Sequence, residues 1–206
     1  QLAFATAFGE QGYGLPTAGL PDTLREIGVA DVRAWHEHGL RGVRPTIVAV
    51  GDIEPEAASD ALAGVFLDLP PLPPFSAPVP ATWVVPPGES AMRLVSREKA
   101  QTAIAMAFPG PSRRDAVRRH PAEVWAAVAS GLGGRLFDAL REKRSLAYTV
   151  LASAWLRRRG GALVTYIATG PEREEEAREA MLAELAVFAA EPVTRAELAQ
   201  AVEYLA

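Results

Sequence analysis

Arg141 and Tyr148 are the two side chains in this sequence whose functional groups and separation could support chemistry. They lie seven positions apart in GRLFDALREKRSLAYTV (residues 134–150), where a helical pattern gives way to a strand pattern. A guanidinium offers five N–H donors and a phenol one hydroxyl, which suits holding peptide carbonyls or a developing oxyanion. Both residues also have structural interpretations. Arg141 fits the negative end of its helix and Tyr148 can pack its ring in the sheet, and spacing alone favours these.

The three histidines do not predict a metal site. His36 and His38 are two positions apart on a predicted helix, so their side chains face different directions and would not converge on one ion. His120 has Glu123 three positions on, but no second histidine is near in sequence. We interpret all three as solvent-facing or helix-end residues, and we predict no metal ligand in this chain.

Other common catalytic patterns are missing from the sequence. There is no cysteine, which excludes disulfides, thiolate metal sites and a cysteine nucleophile. No nucleophile elbow or P-loop occurs, and GLGG at 131–134 is interpreted as a break between two helices. The acidic run at 172–179 suits the first turns of a helix. Arg157–Arg159 could contact an acidic partner, but an exposed hairpin turn is the expected interpretation.

Composition indicates an ordinary globular protein. The 206 residues are 49% hydrophobic and 22% charged, with a formal net charge of −4. That charge argues against nucleic-acid or anionic-lipid partners, and no apolar run approaches the roughly 20 residues of a membrane helix. Gln1 opens inside an apolar pattern and Ala206 closes inside a helical one, so we expect a piece of a longer polypeptide. The compartment is left open.

Residues 1–69 form the first of three regions. After a loop rich in Gly and Pro come two short helical patterns, the second spanning Asp31–His38 and ending at Gly39. PTIVAV (residues 45–50) predicts a short buried strand. A helix beginning near Pro55 places apolar residues on one face at Ala58, Ala61, Leu62, Val65, Phe66 and Leu69.

Residues 70–88 are predicted to be a stiff, extended linker. The stretch from Pro70 to Pro87 holds eight of the chain's seventeen prolines, which excludes a helix or a central strand. We place the domain boundary here.

Residues 89–206 predict an α+β domain, an antiparallel sheet covered by helices. AMRLVSRE and QTAIAMAF are two predicted strands, and LAYTVLASAWL and ALVTYIAT form a predicted hairpin with its turn at Arg159–Gly161. Helices are expected around Val128, around Leu140 and after Pro171. Residues 1–69 could be the tail of a similar domain.

Four segments in order resemble the insulinase-like zinc metallopeptidases, which include pitrilysin and the mitochondrial processing peptidase. Residues 134–150 are similar to the family's G-x-SRLF-x-x-LREK-x-GLAY-x-V stretch. QGYGLPTAG resembles its HPYG-R-P-x-x-G loop, RPTIVAVGDIEPEAASDALAGVFLDLP its strand-GD-helix segment, and EPVTRAELAQAV its V-T-x-x-E-L-x-x-A helix. This chain departs from the family with Gln11-Gly12 in place of His-Pro, Gly134 in place of Ser, and Ser145 in place of Gly.

The resemblance implies a subunit of two related α+β domains, of which this chain holds the end of the first and most of the second. It also implies that zinc is bound by an inverted H-x-x-E-H helix and a distal glutamate, at positions before Gln1. This chain should therefore bind no catalytic zinc itself, while the parent protein or its partner subunit should. In the family, two such halves close around a chamber that holds the substrate. Arg141 and Tyr148 map onto the family's Arg/Tyr pair, which reaches across this chamber to the substrate backbone.

Three assemblies are compatible with this resemblance. The parent subunit could carry both the zinc motif and the pair and work as a homodimer. It could instead be a zinc-less partner that gives Arg141 and Tyr148 to a catalytic subunit in a heterodimer. It could also be a structural subunit, like the core proteins of the respiratory cytochrome complex. For the first two, the expected substrate is a peptide or unfolded polypeptide.

Overall fold

The computed structural model describes residues 1–40, 46–66, 83–86, 88–130 and 133–205. These residues belong to two compact units, one made of Gln1–Pro16 with Val79–Ala206 and the other of Thr17–Pro78. The first unit contains the sheet, Arg141 and Tyr148. None of the helices in the described ranges combines the length and the apolar character needed to cross a bilayer.

A three-stranded antiparallel sheet lies at the centre of the first unit. Its strands are β1 (Thr102–Gly110), β2 (Thr149–Arg157) and β3 (Gly160–Thr169), in the spatial order β1-β3-β2. β3 pairs with β1 over residues 161–169 and with β2 over residues 160–168, so it is the central strand of the sheet. The predicted antiparallel sheet and the α+β class are confirmed.

Seven α-helices are assigned within the described ranges. They are α1 (Leu2–Phe8), α2 (Pro21–Glu26), α3 (Val29–Trp35), α4 (Pro55–Phe66), α5 (Arg119–Ser130), α6 (Glu174–Ala190) and α7 (Arg195–Leu205). The predicted acidic start of α6 is confirmed by three glutamates in its first turn, where negative charge complements the helix dipole.

The hairpin between β2 and β3 turns one residue earlier than predicted. Arg158 and Arg159 form the two-residue turn, and Gly160 already pairs with Arg157 in the ladder. Gly161 is required for a different reason. A Cβ at this position would lie 2.1 Å from the carbonyl oxygen of Pro111, so only glycine lets the turn after β1 approach the hairpin so closely.

One face of the sheet is covered by helices and forms the main core. The side chains of Leu136, Leu140, Ile167 and Met181 are fully buried there, with Leu146 and Val150 nearly so. Alternation along the strands points Thr165 to the same face, where its hydroxyl donates to the sulfur of Met181 at 3.1 Å. Burial of these apolar side chains is the main stabilising contribution in the unit.

The opposite face of the sheet is partly covered by α1 and by Trp83. Phe8 is 5% exposed and packs with its ring 5.2 Å from Trp83 and 5.9 Å from Trp155. The backbone N–H of Val84 donates to the carbonyl oxygen of Ala7 at 2.8 Å. The predicted linker therefore ends in ordered contact with α1, while its residues 70–82 and 87 lie outside the described part of the chain.

The second unit contains α2, α3 and α4. Neither α2 nor α3 has a buried residue, and apolar side chains such as Val29 and Trp35 are more than half exposed. The helix predicted to end at Gly39 has two parts in the structure. α3 ends at Trp35, and a π-helical turn, His36–Leu40, follows it. The helix predicted from Pro55 is confirmed as α4, and Leu69 lies outside the described residues.

Two predicted strands are wrong. Residues 46–50 and 91–98 have no regular secondary structure, and Val50 and Met92 are 93% and 85% exposed. Residues 46–50 are rich in β-branched residues and 91–98 contain only Val95 of that kind, but any strand also needs a neighbour to complete its hydrogen bonds. Within the described ranges neither segment joins the three-stranded sheet.

The proposed boundaries at 1–69, 70–88 and 89–206 stay a prediction, since compactness groups Gln1–Pro16 with the sheet without deciding which domain it belongs to.

A paired Arg135 and Glu197 hold α7 against the helical layer. The Nε and Nη2 atoms of Arg135 donate to the two carboxylate oxygens of Glu197 at 2.6 and 2.9 Å, and the guanidinium lies 4.6 Å from the ring of Phe188. Thr194 and Glu197 also form a reciprocal capping box at the start of α7. The hydrogen bond from Arg135, helped by the Thr194 N–H, lowers the pKa of Glu197 to about 2.

Glu197→Gln should lower the free energy of unfolding at pH 7 by about 2 kcal/mol, because it removes a charge-assisted pair and weakens the cap. The folded pKa of Glu197 lies below its ordinary value of 4.5, so the stabilisation is present above pH 4.5 and is lost as pH falls towards 2. Urea unfolding of both proteins across this range should show the gap closing. Glu203→Gln, an exposed change on the same helix, is the control. A gap that stays constant down to pH 3 would contradict this account.

Candidate functional site

Arg141 lies on a π-helical turn, Phe137–Glu142, that follows the predicted glycine break. Gly133 has φ of 81°, a left-handed conformation that a glycine adopts without strain. The N–H of Lys143 donates to the carbonyl oxygen of Asp138 at 3.0 Å, five residues back, as in a π-helix. The buried Leu140 anchors this turn in the core, and Arg141 is left at its edge with 35% of its side chain exposed.

A short loop carries the chain from this turn into β2 and positions Tyr148. The N–H of Ser145 donates to the carbonyl oxygen of Arg141, and that of Leu146 to the carbonyl oxygen of Leu140, both at 2.9 Å. The buried hydroxyl of Thr169 donates to the carbonyl oxygen of Leu146 at 2.7 Å. These bonds tie the loop to the helical turn on one side and to the sheet on the other.

Arg173 holds the same loop from outside, and the sequence analysis missed it. Its Nη1 donates to the carbonyl oxygen of Ser145 at 2.8 Å and its Nη2 to that of Arg144 at 3.3 Å. The guanidinium also binds both carboxylate oxygens of Glu176 at 3.0 and 3.1 Å, which raises the pKa of Arg173 and lowers that of Glu176. The Arg-x-x-Glu spacing is a local signal that could have indicated the ion pair, but only the fold shows the contact with the loop.

Arg141 and Tyr148 lie side by side. The guanidinium carbon of Arg141 is 4.9 Å from the ring centroid of Tyr148 and 4.6 Å from that of Phe137, so it lies between two aromatic rings. Its Nε is 3.6 Å from a carboxylate oxygen of Glu142. Contact with the rings restricts the guanidinium to a few orientations, which reduces the entropy lost when it binds a ligand.

Tyr148 presents its phenol to solvent. The residue is 79% exposed, and its hydroxyl has no hydrogen-bond partner among the described residues. The guanidinium of Arg141 likewise makes no hydrogen bond to a described residue, so donors of both side chains are available to a ligand on this surface. The structure brings the two predicted residues together, and their role in catalysis stays a prediction.

Each histidine contacts groups near it in sequence. His120 Nδ1 lies 3.2 Å from Glu123 at the start of α5, and His38 Nδ1 lies 2.9 Å from the carbonyl oxygen of Ala34. His36 is 3.7 Å from Glu37. In the part of the chain that the structure describes, no group of three or more His, Cys, Asp or Glu residues could hold a metal ion.

The chain belongs to the family described as the peptidase M16 inactive domain, whose model matches residues 26–205. This confirms the resemblance seen in the sequence motifs. An uncharacterized zinc protease of Mycobacterium tuberculosis is 28% identical over 204 residues, which cover 95% of this chain and 45% of that protein. One of Mycobacterium leprae is 25% identical over 204 residues, 95% and 44% of the two chains. The chain thus spans about half the length of these curated relatives.

Solved structures share the fold. The peptidase M16 inactive domain from Pseudomonas fluorescens superposes with a TM-score of 0.76 at 23% identity, over 98% of this chain and 48% of that one. A chain of complex III2 from Candida albicans gives a TM-score of 0.79 at 16% identity, over 98% and 49%. At these identities the likeness establishes the fold and leaves the activity open.

Ser145 offers a direct test of the loop that positions Tyr148. It has φ of 50°, a left-handed conformation that costs a residue with a Cβ about 1–2 kcal/mol. Ser145→Gly should raise the free energy of unfolding by about 0.5–1 kcal/mol, after allowing for the extra entropy of glycine in the unfolded chain. Ser145→Ala keeps the Cβ and should give no such gain. A glycine variant no more stable than the alanine variant in urea unfolding would show that the loop is not strained.

Proposed function

We propose that this chain is the zinc-free, C-terminal portion of an M16-type zinc metalloendopeptidase subunit. In this proposal it closes the chamber and supplies Arg141 and Tyr148 to a substrate bound at zinc elsewhere in the parent protein or in its partner. One observation carries the proposal. In a chain of the M16 family, the guanidinium carbon of Arg141 lies 4.9 Å from the ring centroid of the exposed Tyr148.

The relatives' names and lengths support the parent activity. The mycobacterial and Streptomyces coelicolor relatives are named zinc proteases, and this chain covers 32–45% of their length. The described residues offer no ligand set that fits zinc, so the metal of this proposal is held by other residues of the assembly. Zinc bound there would supply an activated water.

The chain's own contribution is to hold the substrate. Arg141 would donate to a backbone carbonyl of an extended peptide, its planar fork already oriented by Phe137 and Tyr148. Tyr148 would donate its hydroxyl to the carbonyl oxygen that gains negative charge as the peptide bond is attacked. Because no described protein group competes for this hydroxyl, binding would only exchange a hydrogen bond to water for one to the substrate.

The assembly follows from where the metal lies. If the parent chain carries its own zinc motif, two copies suffice, and a homodimer is expected. If it does not, the zinc belongs to a second kind of subunit, and a heterodimer is expected. In both arrangements the substrate is a peptide or an unfolded polypeptide.

A structural subunit is the second candidate, favoured by one observation. The fold superposes on a chain of the Candida albicans complex III2 with a TM-score of 0.79. In that case the parent protein would hydrolyse no peptide, with or without a partner. The exposed Arg141–Tyr148 pair argues for the peptidase, since a structural subunit has no need of an unpartnered phenol at this position.

Tyr148→Phe in the full-length gene product, assayed with its partner subunit if it has one, should lower turnover by roughly 10²–10³ because one oxyanion donor is lost. The assay is hydrolysis of an unstructured fluorogenic peptide. Tyr204→Phe is the matched control, since Tyr204 is 77% exposed, close to the 79% of Tyr148. Zinc content and far-UV circular dichroism should be the same in both variants. Unchanged turnover in Tyr148→Phe would contradict the proposal and indicate that Tyr148 has only a structural role.

The 206-residue chain alone should hydrolyse no peptide above background when zinc is added, because its described residues contain no metal-binding group. The measurement is cleavage of the same fluorogenic peptide with and without EDTA. Robust cleavage that EDTA abolishes would place the metal site within this chain and contradict the proposal that zinc is bound elsewhere in the assembly.

A further inference from the structure

A concave pocket lined by arginines lies at the tip of the β2–β3 hairpin. It has a volume of about 460 Å³ and is lined by Tyr13, Arg113, Arg114, Arg157 and Arg158. This arginine pocket is lined by different residues from the Arg141–Tyr148 pair, and its four arginines lie outside the family motifs and have no part in the proposed function. Its volume falls in the range of about 300–1,000 Å³ typical of ligand sites.

Three segments of chain build the arginine pocket. The N–H of Arg113, in the turn after β1, donates to the carbonyl oxygen of Arg157 at 2.8 Å. The N–H of Arg159 donates to the phenol oxygen of Tyr13 at 3.3 Å, which ties the hairpin tip to the turn after α1. Gly161 permits the close approach of Pro111 described above. The backbone of the pocket is therefore formed before any ligand arrives.

Three arginines of the pocket, Arg113, Arg114 and Arg157, have no ion pair with a described residue. Across the described ranges, no carboxylate lies within ion-pair distance of Arg113, Arg114 or Arg157, and Arg157 instead stacks 4.4 Å from the ring of Trp155. Asp115 follows Arg114 directly, but its carboxylate is already engaged by Arg118. It accepts from the backbone N–H and the Nε of Arg118 at 2.9 and 2.6 Å, and these bonds lower its pKa.

The chemistry of the lining selects the ligand. The donors here are guanidiniums from the turn after β1 and from the end of β2 with its turn, and a guanidinium binds anionic oxygens of either carboxylate or phosphate. Each guanidinium can bind one carboxylate in a bidentate manner, so separate arginines suit several carboxylates along a chain. The chain's net charge of −4 disfavours a long nucleic-acid polyanion. We propose that the arginine pocket binds an acidic segment of a polypeptide, rich in Asp and Glu.

This proposal does not depend on the proposed function, because binding can be measured without hydrolysis. The full-length gene product should bind a fluorescein-labelled peptide of ten glutamates in a fluorescence-polarisation titration. Affinity should fall as KCl rises from 50 to 300 mM, since the pocket is open to solvent and salt screens exposed charges. The double variant Arg113→Gln/Arg114→Gln should weaken binding by about tenfold, as expected for losing two exposed guanidinium–carboxylate contacts.

The control removes the same charge elsewhere. Arg33→Gln/Arg195→Gln changes two exposed arginines outside the arginine pocket and should leave the affinity within about twofold of the wild type. No binding of the glutamate peptide at 50 mM KCl would overturn the proposal, as would equal losses in the two double variants. Tighter binding of tripolyphosphate or of single-stranded DNA than of the peptide would also overturn it and assign the pocket to phosphate.

Discussion

The structure depends above all on burial of one face of the three-stranded sheet beneath its helices. Leu136 and Leu140 from the helical turn, Ile167 from β3 and Met181 from α6 are all fully buried against each other. They come from segments far apart in sequence, so each segment is held in place only when the others are present. Polar contacts such as Arg135–Glu197 then fix the positions of the outer helices on this apolar layer.

The same layer determines what the surface can do. Because Leu140 points into the core, the neighbouring Arg141 lies at the edge of the helical turn, and the loop bonded to Thr169 and Arg173 returns the chain so that Tyr148 reaches it. The contact between Arg141 and Tyr148 is therefore a consequence of core packing at the adjacent Leu140. At the other end of β2 and β3, the tight approach of Pro111 to Gly161 gathers arginines that local sequence scatters over 44 positions.

Several sequence predictions are confirmed, and the reason is local. The helix of α4 has an apolar face at helical spacing, β1 and the β2–β3 hairpin alternate as strands do, and the glutamates at the start of α6 suit a helix N-terminus. The family assignment rested on ordered motifs and is confirmed by the match over residues 26–205. The strands predicted at 45–50 and 91–98 are wrong over residues 46–50 and 91–98, because these segments have no ladder neighbour among the described residues.

The sequence alone determined the family, the α+β class and the two side chains worth examining, because periodicity, glycine breaks and ordered motifs are properties of neighbouring residues. The tertiary structure decided that Arg141 and Tyr148 touch, that Arg173 braces their loop, and that Arg113 and Arg157 share one pocket. Those relations join residues up to 44 positions apart, and their distances depend on how the helices pack on the sheet. Long-range packing is a collective property of the core, and no local pattern specifies it.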